Sequence, residues 1–299
     1  MRQLSTVTAI AAARMRCLLS PLAAFTLLPG VAALAPAAPA VAAPWQLERS
    51  DVVTVPGPEG DDYRVMISWP EGDPPAEGWP VLWLLDGETH FPTATLMARR
   101  TGRGRGGASR PAGIIVAIEA GPVRRRSRDY TPSVAGYAIP GGVPGTGLPT
   151  GGADAFLTFL EKDVRPLVER RWRTDPARQT LMGHSFGGLL ALHALARGKA
   201  WTRYVAISPS LWFGNGVIRQ ELEQANLPAG RSLLIAHGDA ERGGRGEANA
   251  TASPETLAAD LTARGVKARY ELLVGQSHGS TMGAAMGDGI AIAFATETP

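Results

Sequence analysis

The sequence predicts an α/β fold: a mostly parallel central sheet of about eight strands, flanked by helices on both faces. Three observations carry this. Runs such as Pro80–Leu85 and Gly113–Ile118 are apolar almost without interruption, as strands buried on both faces must be. Segments of helical spacing separate them, notably 153–172, where Phe156, Phe159, Leu160, Val164, Leu167 and Val168 share one face. One apolar strand, ending Leu181-Met182, runs through a glycine-bracketed serine directly into an apolar helix. At 299 residues, 44% hydrophobic and 19% charged, the chain is long enough for a full core.

Residues 1–43 stand apart. Arg2, Arg14 and Arg16 precede an apolar run from Leu18 to Leu34, Ala-Pro repeats end near Ala43, and no acidic residue occurs before Glu48. A basic start, an apolar middle and small residues at the end are the pattern of a secretory signal peptide. Ala38-Pro39-Ala40 and Val41-Ala42-Ala43 are two candidate cleavage sites. The alternative is a retained anchor, which would confine membrane association to this segment. Residues 44–299 are then expected to form a single domain. Without residues 1–43 the chain has 27 basic and 27 acidic residues, so its basic character does not argue for nucleic-acid binding. The lone cysteine, Cys17, also falls in this segment, which leaves the remainder without disulfide, thiol nucleophile or cysteine metal ligand. The excess of arginine over lysine and the abundant alanine suggest a GC-rich bacterial genome, for which export means the periplasm or the cell exterior.

The elements follow in order. Val52–Val55 and Tyr63–Ser68 read as antiparallel strands joined by the Pro56-Gly57-Pro58-Glu59-Gly60 turn. After the 80–85 strand come a short helix over Phe91–Arg100, a flexible GRGRGG loop at 102–107 and the 113–118 strand. Residues 121–152, rich in Gly, Pro, Arg and Ser/Thr, read as a long structureless connection of the kind used as a functional lid. The 153–172 helix, the elbow strand with its helix, and strands at Tyr204–Ile207, Leu233–Ala236 and Ala268–Val274 complete the sheet. Helices are expected around 217–224, at 254–264 with Ser253 as N-cap and Pro254 in first position, and at 280–295. Functional groups should gather at the carboxyl ends of the parallel strands.

Gly183-His184-Ser185-Phe186-Gly187 is a nucleophile-elbow pattern, in which a strained strand-to-helix turn lifts a serine hydroxyl above the sheet. A serine hydroxyl needs a base to act as a nucleophile. His184 lies inside the elbow, with its side chain expected to point away from the nucleophile. His193 suits packing or solvent, and His237 the core or a supporting role. His278, in the loop after the last strand, occupies the base position required by the chain order serine, acid, histidine. The acid should follow the 233–236 strand, where Asp239 and Glu241 both stand; Glu241 is preferred. Backbone N–H donors for an oxyanion are expected from Phe186 and from Gly87 or Glu88, while Asp86 is expected to brace its turn. Arg124, Arg125, Arg126 and Arg128 form a cationic cluster suited to pairing with and stacking on planar anions, and Trp212 could supply an aromatic wall.

Further segments extend the pattern: Leu84-Leu85-Asp86-Gly87, Arg126-Ser127-Arg128-Asp129-Tyr130-Thr131-Pro132, Gly151-Gly152-Ala153-Asp154, Ser208-Pro209-Ser210-Leu211-Trp212 and His278-Gly279. With the elbow, they resemble the esterase-D-like branch of the α/β-hydrolases, and within it the periplasmic enterochelin (siderophore trilactone) esterases. The resemblance implies the α/β-hydrolase fold, Ser185 as nucleophile, His278 as base, and an arginine at position 126 that helps to hold catecholate. Some periplasmic members work with a Ser–His dyad. Glu241 stands where other members of the branch carry a carboxylate, which implies a full triad here.

The expectation is therefore an exported serine esterase without cofactor or metal, acting on a small-molecule ester such as a siderophore trilactone. A general acyl or carbohydrate esterase, an acyltransferase, and a non-catalytic binding protein on the same scaffold are the competing readings. The GRGRGG run is not taken as an RNA-binding segment, because export argues against a nucleic-acid partner. The sequence leaves the oligomeric state open.

Overall fold

The computed structural model describes residues 44–101, 112–143, 145–241 and 253–296. The readings of residues 1–43 and of the GRGRGG loop lie outside the described residues. Two antiparallel strands, β1 (Ser50–Pro56) and β2 (Asp62–Ser68), lead into β3 (Trp79–Leu84), α1 (Gly87–Thr101) and β4 (Ile114–Ile118). After α2 (Val123–Asp129), the next helical stretch is α3 (Ala153–Phe159), a π-helical turn (Leu160–Val164) and α4 (Arg165–Arg171). Then come β5 (Thr174–His184), α5 (Phe186–Ala196), β6 (Arg203–Ile207), a short 3₁₀ turn (Phe213–Asn215) and α6 (Val217–Gln224). The chain finishes with β7 (Ser232–Gly238), α7 (Pro254–Ala263), β8 (Lys267–Leu273) and α8 (Thr281–Phe294).

The eight strands form one sheet in the order β1-β2-β4-β3-β5-β6-β7-β8, antiparallel at β1, β2 and β4 and parallel from β4 onward. The chain steps outward from β3 to β4 and then returns past β3 to β5. The carboxyl ends of β3 and β5 therefore flank the switch point, where α/β sheets bind ligands.

Alternate residues of each central strand feed two cores. Leu82, Leu84, Met182, Val205 and Ile207 join Met282, Met286 and Ile290 of α8 and Phe91 of α1. Val81, Trp83, Leu181, Tyr204 and Ala206 join Phe156, Leu160, Leu189, Leu192, Ile218 and Leu257 on the other face. Helix α5 is buried nearly all round, which explains why its sequence is apolar without a polar stripe. Ser253 Oγ accepts the Thr256 N–H and Pro254 sits in the first turn of α7, as its residue types dictate.

The 121–152 stretch departs from its expected structureless form. Pro122 leads into α2, which carries the arginines, and the loop beyond is tied back to it. Thr131 Oγ1 donates to the Ser127 carbonyl and accepts the Gly151 N–H, while the Gly152 N–H donates to the Arg128 carbonyl. Short side chains and glycine, which dilute apolar periodicity in the sequence, are what this side-chain-to-backbone bonding uses.

Candidate active site

At the end of β5, Ser185 has φ 59° and ψ −117°, a conformation that side chains rarely adopt and that stores on the order of 1–3 kcal/mol of strain. Close packing enforces the turn. A Cβ on Gly183 would lie 2.5 Å from the carbonyl carbon and oxygen of Gly187, and backbone at that position cannot give way. Ser185 accordingly caps α5, with its N–H on the Ile207 carbonyl and its carbonyl accepting from Leu189 and Ser210. Its Oγ lies 3.3 Å from Ser210 Oγ, the hydrogen-bond partner of the resting hydroxyl.

Glu241 and His278 meet beside this turn. Glu241 Oε2 accepts from His278 Nδ1 at 2.9 Å and lies 3.3 Å from His237 Nε2. Its other oxygen accepts from Ser208 Oγ at 2.5 Å and from the Gly238 N–H at 2.8 Å. Burial alone would raise the carboxyl pKa, but the bonds from His278, Ser208 and Gly238, with the nearby His237, bring it down from 4.5 to about 2. Asp239, the other candidate acid, instead accepts the Gly275 N–H at 2.6 Å and so ties together the loops after β7 and β8. Ser208 itself has φ 43° and is buried, with its Oγ 2.7 Å from Thr281 Oγ1. The sequence assigns no role to Ser208, Ser210 or Thr281, although the Ser208-Pro209-Ser210 turn at the end of β6 is an available signal.

The His184 side chain reaches the loop after β8. Its Nε2 lies 2.7 Å from the His278 carbonyl oxygen and its ring centroid 4.6 Å from that of His278. His193 is fully buried between Glu221 Oε2 at 2.5 Å and Asp154 Oδ1 at 3.2 Å, joining α5 to α6 and α3.

Phe186 is the first residue of α5, and Gly87 and Glu88 are the first residues of α1, so their N–H groups have no intrahelical acceptor. The two helix starts follow the adjacent strands β5 and β3. Gly87 must be glycine because a Cβ would lie 2.7 Å from Met66 Cε and 2.9 Å from the Ala117 backbone. The Glu88 carboxylate is occupied by the Ala120 N–H at 3.0 Å.

The arginine cluster is not a set of free cations. Arg126 makes a two-pronged bond to Asp86, at 2.6 and 2.9 Å, and also donates to the His184 carbonyl at 3.1 Å. Arg125 is bonded to the carbonyls of Ala120 and Asp62, and Arg128 to Asp129 and Asp61; only Arg124 of the four is exposed. The Asp86 N–H donates to the buried Tyr130 hydroxyl at 3.2 Å, so Asp86 braces its turn from both ends. Arg126→Ala should therefore cost about 2 kcal/mol of stability, or about 6 °C in Tm, besides any effect on KM. Thermal denaturation checks this, because loss of a substrate contact alone would leave Tm where it was.

Trp212 is half-buried, its ring 6.0 Å from Phe186 and 6.2 Å from Phe213. Tyr137 packs 4.9 Å from Phe213 and Gly145 approaches the Phe186 ring, so the segments at Tyr137 and Gly145 and the turn after β6 build one aromatic wall beside the elbow. Among the described residues no His, Cys, Asp and Glu cluster has the form of a metal site.

The family described as "Putative esterase" matches residues 59–278. Ferri-bacillibactin esterase BesA of Bacillus subtilis is 32% identical over 78% of this chain and 88% of its own length. Siderophore triacetylfusarinine C esterase of Aspergillus fumigatus is 40% identical over 60% of this chain and 61% of its own length. The crystal structure of BES protein from Bacillus cereus superposes with a TM-score of 0.73 at 26% identity, covering 86% of this chain and 100% of that one. The chain thus belongs to this esterase family, as a carboxylic ester hydrolase built on the α/β-hydrolase fold.

Proposed function

We propose that the protein is an exported serine esterase that opens siderophore esters, such as a cyclic trilactone, through an acyl-enzyme. Ser185 Oγ attacks the ester carbonyl while His278 Nε2 takes its proton, and Glu241 holds Nδ1 and stabilises the imidazolium. The N–H of Phe186 and that of Gly87 or Glu88 receive the oxyanion, each donor worth about 3 kcal/mol of barrier. His278 then protonates the departing alkoxide. Water, deprotonated by the same imidazole, releases the acid and restores Ser185.

The observation that carries this reading is the Glu241–His278 hydrogen bond beside a strained elbow serine. Two further features support a bulky substrate: the His278 side chain is 51% exposed, and an aromatic wall stands beside the elbow. The substrate class follows from the relatives, a ferri-bacillibactin esterase and a triacetylfusarinine C esterase. Export rests on the residue pattern of 1–43. The Arg126–Asp86 pair modifies the picture of anion binding, since a paired guanidinium stacks on a catecholate ring more readily than it supplies net charge.

Turnover of a ferric trilactone should be compared with that of short p-nitrophenyl esters. The trilactone is expected to give the higher kcat/KM. Simple esters cleaved faster by orders of magnitude would replace the siderophore assignment with a general acyl esterase.

A further inference from the structure

His184 occupies the position before the nucleophile, and it bonds to two further parts of the site. Its backbone is fixed on one side by the register with Ile207 of β6 and on the other by Arg126, which donates to its carbonyl at 3.1 Å. Its side chain crosses to the loop after β8, where Nε2 meets the His278 carbonyl oxygen at 2.7 Å and the two imidazoles pack at 4.6 Å. A carbonyl can only accept, so Nε2 must carry the hydrogen in this bond. Burial and the neighbouring His278 hold the His184 pKa down from 6.5 to about 4, so the ring is neutral at neutral pH and adds no cation beside the base.

The same carbonyl also accepts from Thr281 Oγ1 at 3.0 Å, but that bond ties the loop to its own following helix. The bond from His184 joins it to a different element, the strand that ends in the nucleophile. Helix α8 and strand β5 meet through packing in the core below, whereas the His278 side chain stands half in solvent. An exposed base needs its backbone held if its ring is to stay in line with Ser185 Oγ.

We propose that His184 is a positioning residue, whose neutral Nε2–H clips the base-bearing loop to the end of the elbow strand and so sets where His278 stands relative to Ser185. The role rests on the reading of Ser185 and His278 as nucleophile and base. The elbow then does two things. The residue before the nucleophile registers the base, and the Asp86–Arg126 pair, through the His184 carbonyl, registers the oxyanion turn against the same point.

The test uses His184→Phe, which keeps a flat ring but removes the donor, and His184→Gln, whose amide N–H reaches to about the same place. Kinetics should be expressed per site titrated with a fluorophosphonate, with Tm measured alongside. His184→Phe is expected to lower kcat by about 100-fold with KM unchanged, and His184→Gln to restore most of that loss. Wild-type kcat in His184→Phe overturns the proposal, and so does a Gln variant as slow as Phe when both are folded. Should the Phe variant not fold, Gln against the shorter Asn carries the test: Gln is expected to be the faster, and equal rates overturn the role. A wild-type chain that the fluorophosphonate leaves unlabelled sinks the esterase mechanism itself, whereas labelled wild type with unaffected variants sinks only the role of His184.

Discussion

Ser185→Ala is expected to lower kcat by about 10⁶-fold and to abolish labelling by a fluorophosphonate, with the fold intact. In the proposed mechanism the hydroxyl forms the covalent bond, and no neighbour can take its place: Ser210 Oγ, 3.3 Å away, lies on the turn after β6 rather than at the head of α5. His278→Ala should cost about as much, since a serine without its base is a weak nucleophile. The double variant should be scarcely worse than either single one, because groups that act as a unit do not add. Residual activity would then come from the helix-start N–H groups and binding alone. Multiplicative losses in the double variant, or Ser185→Ala retaining more than about a hundredth of wild-type kcat, would place the nucleophile elsewhere. Ser185→Ala also removes a residue held at φ 59°, and alanine is no more comfortable there, so Tm should change little.

The sequence made the centre of the sheet legible because β3, β4 and β6 are buried on both faces and so are written almost wholly in apolar letters. The elbow was legible for a related reason: Gly183 is fixed by close contact with the Gly187 backbone. What stayed hidden depended on pairings across the fold. Four arginines close together read as a free cationic loop because Asp86, 40 positions away, carries no mark that it will take Arg126. The choice of Glu241 over Asp239, two residues away, was a preference that the letters alone did not secure. It turns on which loop each reaches, Gly275 N–H for one and His278 for the other. The roles of Ser208 and Thr281 were hidden for the same reason, both being ordinary hydroxyl residues until β6 and α8 bring them within 2.7 Å. Chain order was enough to propose Ser185 and His278, and geometry was needed for everything that holds them.

Glu241→Gln is expected to lower kcat by about 10⁴-fold while the chain stays folded. The carboxylate accepts the Nδ1 hydrogen of His278, which leaves Nε2 free to take the serine proton. A glutamine amide can present its NH₂ group to Nδ1 instead, and the imidazole then carries its hydrogen on Nε2, where it can no longer act as a base. The amide also removes the charge that would meet the imidazolium. Ser208 Oγ and the Gly238 N–H would still hold the other side-chain oxygen, so the variant should fold, with a lower kcat and, at neutral pH, a lower Tm because the ionised carboxylate no longer contributes. A second signature lies in acid. The folded-state pKa of Glu241 is depressed to about 2 from 4.5, so its ionised form contributes stability that is complete above pH 4.5 and is lost as the pH falls towards 2. The Tm difference between wild type and Glu241→Gln should accordingly shrink across that window, whatever its size at neutral pH. If kcat barely moves, catalysis runs on Ser185 and His278 as a dyad, and the shared carboxylate serves only to fasten His278, His237 and Ser208 together.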